Sequence, residues 1–253
     1  MKPVPNPTGL PPRTKERFPE IRARRFDRQD QQTSIDNLLP RGQQAKLRMI
    51  ATVLDYQRAN STVFSQGEDA HFIYAVATGI VRVSRNTENG RRQVLALMLP
   101  GDVFGLPDAG IYVNSAETVC PATLYRVPWR QLHEMMLEEP QLQANLLARV
   151  AYDLRQAQRR IMMLGQQNVS QRLASFLLDL VQHPEFYDRR KRSIKLPLTR
   201  WDIGDYLGAA PETVIRAFAK MERQKLLRRG PSHLFDVDVE RLRHIIAGRR
   251  RRR

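Results

Sequence analysis

The chain has 253 residues, 42% of them apolar and 27% charged, an ordinary globular balance that excludes a wholly disordered polypeptide. Its 42 Lys and Arg against 26 Asp and Glu leave a formal charge of +16, which points to polyanionic partners, nucleic acid before a membrane surface. No run approaches the roughly 18 apolar residues of a membrane-spanning helix, and the single cysteine, Cys120, excludes an intrachain disulfide framework, a multi-cysteine zinc site and a four-cysteine iron–sulfur cluster.

Residues 1–35 read as a flexible basic arm, with six prolines and little that could bury a core. Its opening, MKPVPNPTGLPPR, lacks the apolar stretch of a secretory signal, and a reducing cytoplasm is the expected compartment. A short helical pattern follows, with Leu38, Leu39, Leu47, Ile50 and Leu54 at loose helical spacing. From about Arg58 the period changes. Thr62–Phe64, Phe72–Val76, Ile80–Val83, Val94–Met98 and Leu124–Val127 are short β-rich runs punctuated by Gly67, Gly79, Gly90, Gly101 and Gly105, the pattern of an antiparallel sandwich or barrel. Asn89-Gly90 predicts a tight hairpin, because both residues tolerate positive φ.

Beyond Pro140 the pattern is helical. Leu147, Val150, Leu154, Ala157, Ile161 and Leu164 form a narrow heptad stripe, and Arg149, Asp153, Arg155, Gln156, Arg159 and Arg160 cover the other faces. A globular core calls for a wider apolar face, so the stripe predicts a seam with the same helix of a second subunit. A second helix follows, with Val169, Leu173, Phe176, Leu177 and Leu180 on one side. After it come the basic turn Arg189–Arg192 and an edge strand around Ile194–Leu198.

The segment from Leu198 to Leu227 predicts a helix-turn-helix. Thr199 and Asp202 form a capping box, Ile203, Tyr206 and Leu207 an inner face, Gly204 a site of close crossing, and Gly208-Ala209-Ala210 the turn. Pro211 opens the next helix, which buries Val214, Ala217, Phe218 and Met221 and shows Glu212, Thr213, Arg216, Lys220 and Arg223. Exposed N-terminal residues of such a helix meet base edges in a major groove. Arg216 suits guanine O6/N7 and Glu212 a cytosine amino group, with Thr213 between them as a further base contact, whereas Thr199, Arg200 and Lys220 suit phosphates. Leu226–Arg229 and Leu234–Val237 then read as a wing, closed by a helix from about Val239 to Ile246. From Phe186 to Arg253 there are 19 Lys and Arg against 8 Asp and Glu, including the tail Arg249–Arg253, so the charge gathers where the DNA-reading motif lies.

The assembly resembles the bacterial cyclic-AMP receptor protein and fumarate–nitrate reduction regulator family over about residues 36–248. The resemblance rests on Gly67-Glu68, Ile73-Tyr74, Gly79-Ile80-Val81, Gly90 and Pro100–Gly105 in the β-portion, and on Glu212–Arg216 in the helix. It implies an α+β fold: a flexible arm over 1–35, a cyclic-nucleotide-binding-type β jelly roll over 36–140, a dimerisation helix over 141–168, a winged helix-turn-helix over 169–248 and an Arg tail over 249–253. It also implies a homodimer on an inverted repeat resembling TTGA and TCAA, with Glu212 and Arg216 reading the TGA element, and engagement of RNA polymerase, more often as activator. Cyclic-AMP-binding members carry a Gly-Glu for the ribose and an Arg-Ser or Arg-Ala for the phosphate. Here Leu106-Pro107 follows Gly105 and Asn114 stands where that Arg would fall, so no cyclic nucleotide is expected. The arm has no cysteine group for an iron–sulfur cluster. This combination resembles the FixK-type branch, associated with low-oxygen, denitrification or nitrogen-fixation control.

Ile215 replaces a small hydroxyl residue of the oxygen-sensing branch. The five histidines show no ligand spacing and no catalytic set is present, so neither a metal nor an enzyme activity is expected, and a haem on one His is the cofactor left open. Trp129 and Trp201 read as core, and Cys120 as a buried structural thiol. Two rival readings accompany this one: a small-molecule-sensing module acting on a partner protein, and a non-specific nucleic-acid coat.

Overall fold

The computed structural model describes residues 21–25, 44–86 and 92–246. Among them, nine strands and one short helix build the N-terminal portion: β1 (Ile21–Arg25), α1 (Gln44–Ile50), β2 (Thr52–Tyr56), β3 (Thr62–Phe64), β4 (Phe72–Thr78), β5 (Val81–Asn86), β6 (Arg92–Met98), β7 (Val103–Phe104), β8 (Ser115–Thr118) and β9 (Ala122–Pro128). They pair into a five-stranded sheet, β1-β2-β9-β4-β7, and a four-stranded sheet, β3-β8-β5-β6, all antiparallel.

Side chains alternate across β2, β4 and β9, and both faces find cover. Leu54, Tyr74, Val76 and Leu124 pack against Val81, Val83 and Ala116 of the second sheet. Val53, Ile73, Ala75, Tyr125 and Val127 face helices instead, against Leu47 of α1, Leu132 of α2 (Trp129–Glu138) and Leu142 of α3 (Pro140–Gln166). A strand buried on both faces reads as a continuous apolar run, which is why Phe72–Val76 and Leu124–Val127 stand out in the sequence.

Three expectations change here. Leu54 belongs to β2 rather than to the preceding helix. Val53 pairs with Tyr125 and Leu54 with Leu124, on opposite faces, so the helical spacing from Leu47 is coincidental. The arm expected over 1–35 contains β1, which pairs with β2 from Ile21↔Tyr56 to Arg25↔Thr52. All five of its residues are exposed, the character of a charged edge strand held by backbone bonds. Trp129 is only half-buried. The rest of the arm, Leu38, Leu39, Asn89-Gly90 and the Arg tail lie outside the described residues, although β5 and β6 pair antiparallel as far as Asn86↔Arg92.

From Val169 the chain folds into α4 (Val169–Val181), β10 (Tyr187–Asp188), β11 (Ser193–Lys195), α5 (Arg200–Leu207), α6 (Pro211–Arg223), β12 (Leu227–Arg229), β13 (Leu234–Val237) and α7 (Val239–Ile246). The strands order as β10-β11-β13-β12, so the expected edge strand at Ile194 is an inner one. Asn168 and Gln171 form a reciprocal capping box that starts α4.

This part shares a core with the roll. Ile80 and Val119 pack with Leu173, Leu177, Ile194, Ile203 and Leu207 in one buried cluster. Polar contacts flank it. Gly79 N–H donates to the Glu185 carboxylate at 2.8 Å. Arg160 of α3 stacks on the Tyr206 ring at 4.2 Å and donates to the Val94 and Tyr206 carbonyls at 3.0 and 2.7 Å. Arg172 of α4 donates to the Leu164, Gln167 and Leu207 carbonyls at 2.7, 2.9 and 2.9 Å, which pins the elbow between α3 and α4 to the end of α5.

Gly204 is where α5 meets the turn that follows it. A Cβ there would lie 2.6 Å from the Ala209 carbonyl oxygen, closer than real Cβ contacts come. Gly204→Ala is expected to cost about 1–3 kcal/mol through overpacking, read as a lower urea midpoint at unchanged slope. A midpoint equal to the native one would show that the turn yields freely.

Candidate DNA-reading surface

The capping box at the start of α5 forms as expected and does a second job. Thr199 Oγ1 accepts from Asp202 N–H at 3.1 Å and donates to Oδ2 at 2.5 Å, and the same Oδ2 accepts from Thr199 N–H at 3.1 Å. The other carboxylate oxygen, Oδ1, takes Nη1 of Arg82 on β5 at 2.5 Å. Arg82 is 3% exposed and also reaches Glu117 at 2.6 Å and Asn60 Oδ1 at 3.3 Å. Arg92 extends the network to Glu117 at 3.4 Å and Asp205 at 3.3 Å. The roll thus holds the first helix of the motif by its N-terminal carboxylate. Sequence reading missed this link, and no local signal carried it.

Gly208 ends α5 in the left-handed conformation, φ 62°, and Pro211 occupies the first turn of α6. Val214, Ala217, Phe218 and Met221 are buried, all four as read from the sequence. On the opposite side Glu212, Arg216, Lys220 and Arg223 are exposed, while Thr213 is half-buried. Arg216 Nη2 donates to Thr213 Oγ1 at 3.0 Å, so the hydroxyl steers the guanidinium. Ile215 is exposed beside them. Arg241 of α7 donates to the Gln224 and Lys225 carbonyls at 2.8 and 3.2 Å, closing the far end of α6, another contact the sequence did not reveal.

The residues expected at phosphates differ in readiness. Lys220 is exposed. The Thr199 hydroxyl spends its proton on Asp202. Arg200 lies with its guanidinium 3.7 Å from the centre of the Phe218 ring and 5.5 Å from that of Phe235. Burial, and then the Arg229 charge nearby, hold its pKa below the usual guanidinium range. Arg200 therefore braces α6 against the wing as much as it presents a charge. Trp201, read from sequence as core, is 66% exposed. It lies two residues before Ile203 and so nearly opposite the inner face of α5.

Beside this motif, the wing pairs Arg228 with Asp236 at 2.7 Å. The basic turn Arg189–Arg192 is exposed, and Asp188 accepts from the Arg190 and Lys191 amides at 2.9 and 3.0 Å, bonds that hold its carboxyl below the usual range.

On α3, Leu147, Leu154 and Ile161 are 70%, 59% and 70% exposed, with Val150 and Ala157 also exposed and Leu164 half-buried. Arg149 fixes this orientation by binding Asp102 at 2.6 Å and the Gly101 carbonyl at 3.0 Å, which turns the apolar stripe away from the roll.

Inside the roll, four rings occupy the space between the sheets. Phe64 stacks on Tyr112 with centroids 3.9 Å apart, and Tyr74 lies 5.5 Å from both Phe64 and Phe104. Burial pushes Tyr56 up to about 12 and raises Tyr74 as well. A Cβ on Gly105 would sit 3.1 Å from the Phe64 and Tyr74 rings, so the loop presses on them. Asn114 Oδ1 is buried without a hydrogen-bond donor. An amide oxygen seeking a donor does not fit a cyclic phosphate, which needs a cation. Cys120, read from the sequence as a buried thiol, is half-buried, and its partial burial raises the thiol above its usual range. Among the described residues no group of three or more His, Cys, Asp or Glu could hold a metal, and no helix is long and apolar enough to cross a membrane.

Residues 171–245 match the Crp-like helix-turn-helix domain, and residues 56–139 match the cyclic nucleotide-binding domain. The chain is 35% identical over 166 residues to the nitrogen fixation regulation protein FixK of Azorhizobium caulinodans, covering 65% of this chain and 67% of that protein. It is 31% identical over 190 residues to the FixK protein of Rhizobium meliloti, covering 75% and 83%. It is 28% identical over 172 residues to the transcriptional activator protein FnrA of Stutzerimonas stutzeri, covering 67% and 70%. Among solved structures, FixK2 from Bradyrhizobium japonicum superposes with a TM-score of 0.70 at 32% identity, over 77% of this chain and 96% of that one.

Proposed function

Because the chain belongs to the cyclic-AMP receptor protein and fumarate–nitrate reduction regulator family, in its FixK-like branch, and is a DNA-binding transcription regulator, we propose that it acts as a homodimer on an inverted repeat resembling TTGA and TCAA. The single observation that carries the reading is the polar ridge of α6, with Glu212 and Arg216 exposed directly opposite four buried apolar residues. The α3 stripe, from Leu147 through Val150, Leu154, Ala157 and Ile161 to Leu164, joins the two copies. It sets their α6 helices in successive major grooves about 34 Å apart. Glu212 and Arg216 read base edges, Thr213 orients Arg216, Lys220 meets the phosphates, and Arg200 braces α6 against the wing. The dimer works in the cytoplasm upstream of a promoter and engages RNA polymerase, as an activator like the FnrA protein it resembles. The similarity to FixK proteins supports low-oxygen or nitrogen-related target genes. Neither an enzymatic step nor a cyclic nucleotide enters this mechanism, and the aromatic filling of the roll supports leaving the nucleotide out.

The test is a gel-shift competition between the inverted repeat and random duplex, with sedimentation to count subunits. A specific dimeric regulator prefers its site by about a thousandfold or more. Equal affinity for both duplexes would make the protein a non-specific coat instead. Arg216→Ala is expected to cost about 1–3 kcal/mol on the repeat and almost nothing on random DNA. Lys220→Ala should weaken both alike and lower the salt slope by about 1. Parallel losses for the two variants would remove the base-reading role from Arg216.

A further inference from the structure

Helix α6 buries every large apolar side chain but one. Ile215 is 53% exposed, beside the buried Val214. Nothing about helix stability asks for it, since a β-branched residue on an exposed helical face lowers propensity and buries little. At 100° per residue it lies on one flank of the ridge made by Glu212, Arg216 and Arg223. Half-buried Ala219, one turn later, continues a short apolar strip along that flank. Ile215 is also the fifth residue of a helix that starts at Pro211, within the N-terminal portion that meets base edges in this motif.

A branched alkyl group cannot read donors or acceptors. The apolar feature of a base edge in the major groove is the C5-methyl group of thymine. We infer that Ile215 is a specificity-determining residue that packs on a thymine methyl in each half-site, next to the base pairs taken by Glu212 and Arg216. Cytosine at that position would offer no methyl and would set its amino group against the alkyl chain, leaving a polar group desolvated and unpaired. The inference rests on the DNA-reading assignment above and adds a contact that the polar residues do not make.

The test uses the intact protein. Its preferred duplex is enriched from a random pool, and each thymine is then exchanged for deoxyuridine in both half-sites together, a change that deletes only the methyl group. At one position the native protein should lose about fourfold per half-site, roughly fifteenfold for the duplex, the effect of burying one methyl-sized group at each. Ile215→Ala, an exposed substitution, should bind the thymine and deoxyuridine forms of that duplex equally while keeping the native response everywhere else. If the variant keeps the native thymine-to-deoxyuridine ratio at every position, or if no thymine is sensitive in the native protein, the assignment of Ile215 is wrong while the DNA reading stands. If the pool yields no inverted repeat, the DNA-reading assignment falls and this inference falls with it.

Discussion

Arg82→Met is expected to destabilise the protein by about 3–5 kcal/mol, the cost of breaking a buried ion pair from one side. Arg82 is almost wholly buried, with Asp202 at 2.5 Å and Glu117 at 2.6 Å. Methionine fills much of the same volume, so packing is nearly conserved and the loss is electrostatic. Glu117 keeps Arg92 at 3.4 Å. Asp202 keeps only its bonds to Thr199, and its Oδ1 faces the roll without a donor. The control is Arg82→Met with Asp202→Asn, which removes both charges. Asparagine can still accept the Thr199 cap bond, so the double variant should recover a large part of the loss, and the cycle isolates the pair. The measurement is urea unfolding of all four proteins. A single-variant loss below about 1 kcal/mol would show that water reaches the pair and that it behaves as a surface bridge.

Leu154→Glu is expected to separate the subunits without unfolding them. Leu154 is 59% exposed in the single chain, so the substitution leaves the core untouched. In the proposed dimer it sits mid-stripe and faces its own copy across the axis, where two glutamates would be desolvated and repel. Losing the second subunit makes the second half-site contact intermolecular, and affinity for the full repeat should fall by about 10²–10⁴-fold. Affinity for a duplex holding one half-site should stay unchanged. Sedimentation and gel shifts on both duplexes check this together. A variant that remains dimeric would move the interface away from α3.

The helix-turn-helix was readable because its determinants are local. Thr199 and Asp202, Gly208, and Pro211 lie within a dozen residues, and each acts through backbone chemistry that spacing reveals. The four buried residues of α6 follow from helical period alone. The unread features depend on distant partners. Arg82 and Asp202 are 120 positions apart, and neither residue type signals a buried role. Arg200 reads as a phosphate ligand until Phe218 and Phe235 are placed beneath it. β8 is Ser115–Thr118, with no large apolar residue, and β7 has only two residues, so neither has a period to detect. Leu54 misled because its spacing from Leu47 and Ile50, which do lie in α1, fits a helix by chance. In the candidate site the ridge was legible and its bracing was not. Trp201 shows the same limit, since an aromatic residue beside a helix cap gives no sign of which way it faces.

The cluster that joins Ile80 and Val119 to Leu173, Ile194 and Leu207 has a consequence for how such chains can be recombined. A chimaera that grafts a foreign roll onto this reading head inherits its hydrophobic socket. Unless the donor supplies side chains matching Ile80 and Val119, the graft leaves a void at the seam, and without a backbone amide in place of Gly79 the exposed Glu185 loses its hydrogen bond across it. The modules are exchangeable only in company with the few roll residues that plug into their neighbour.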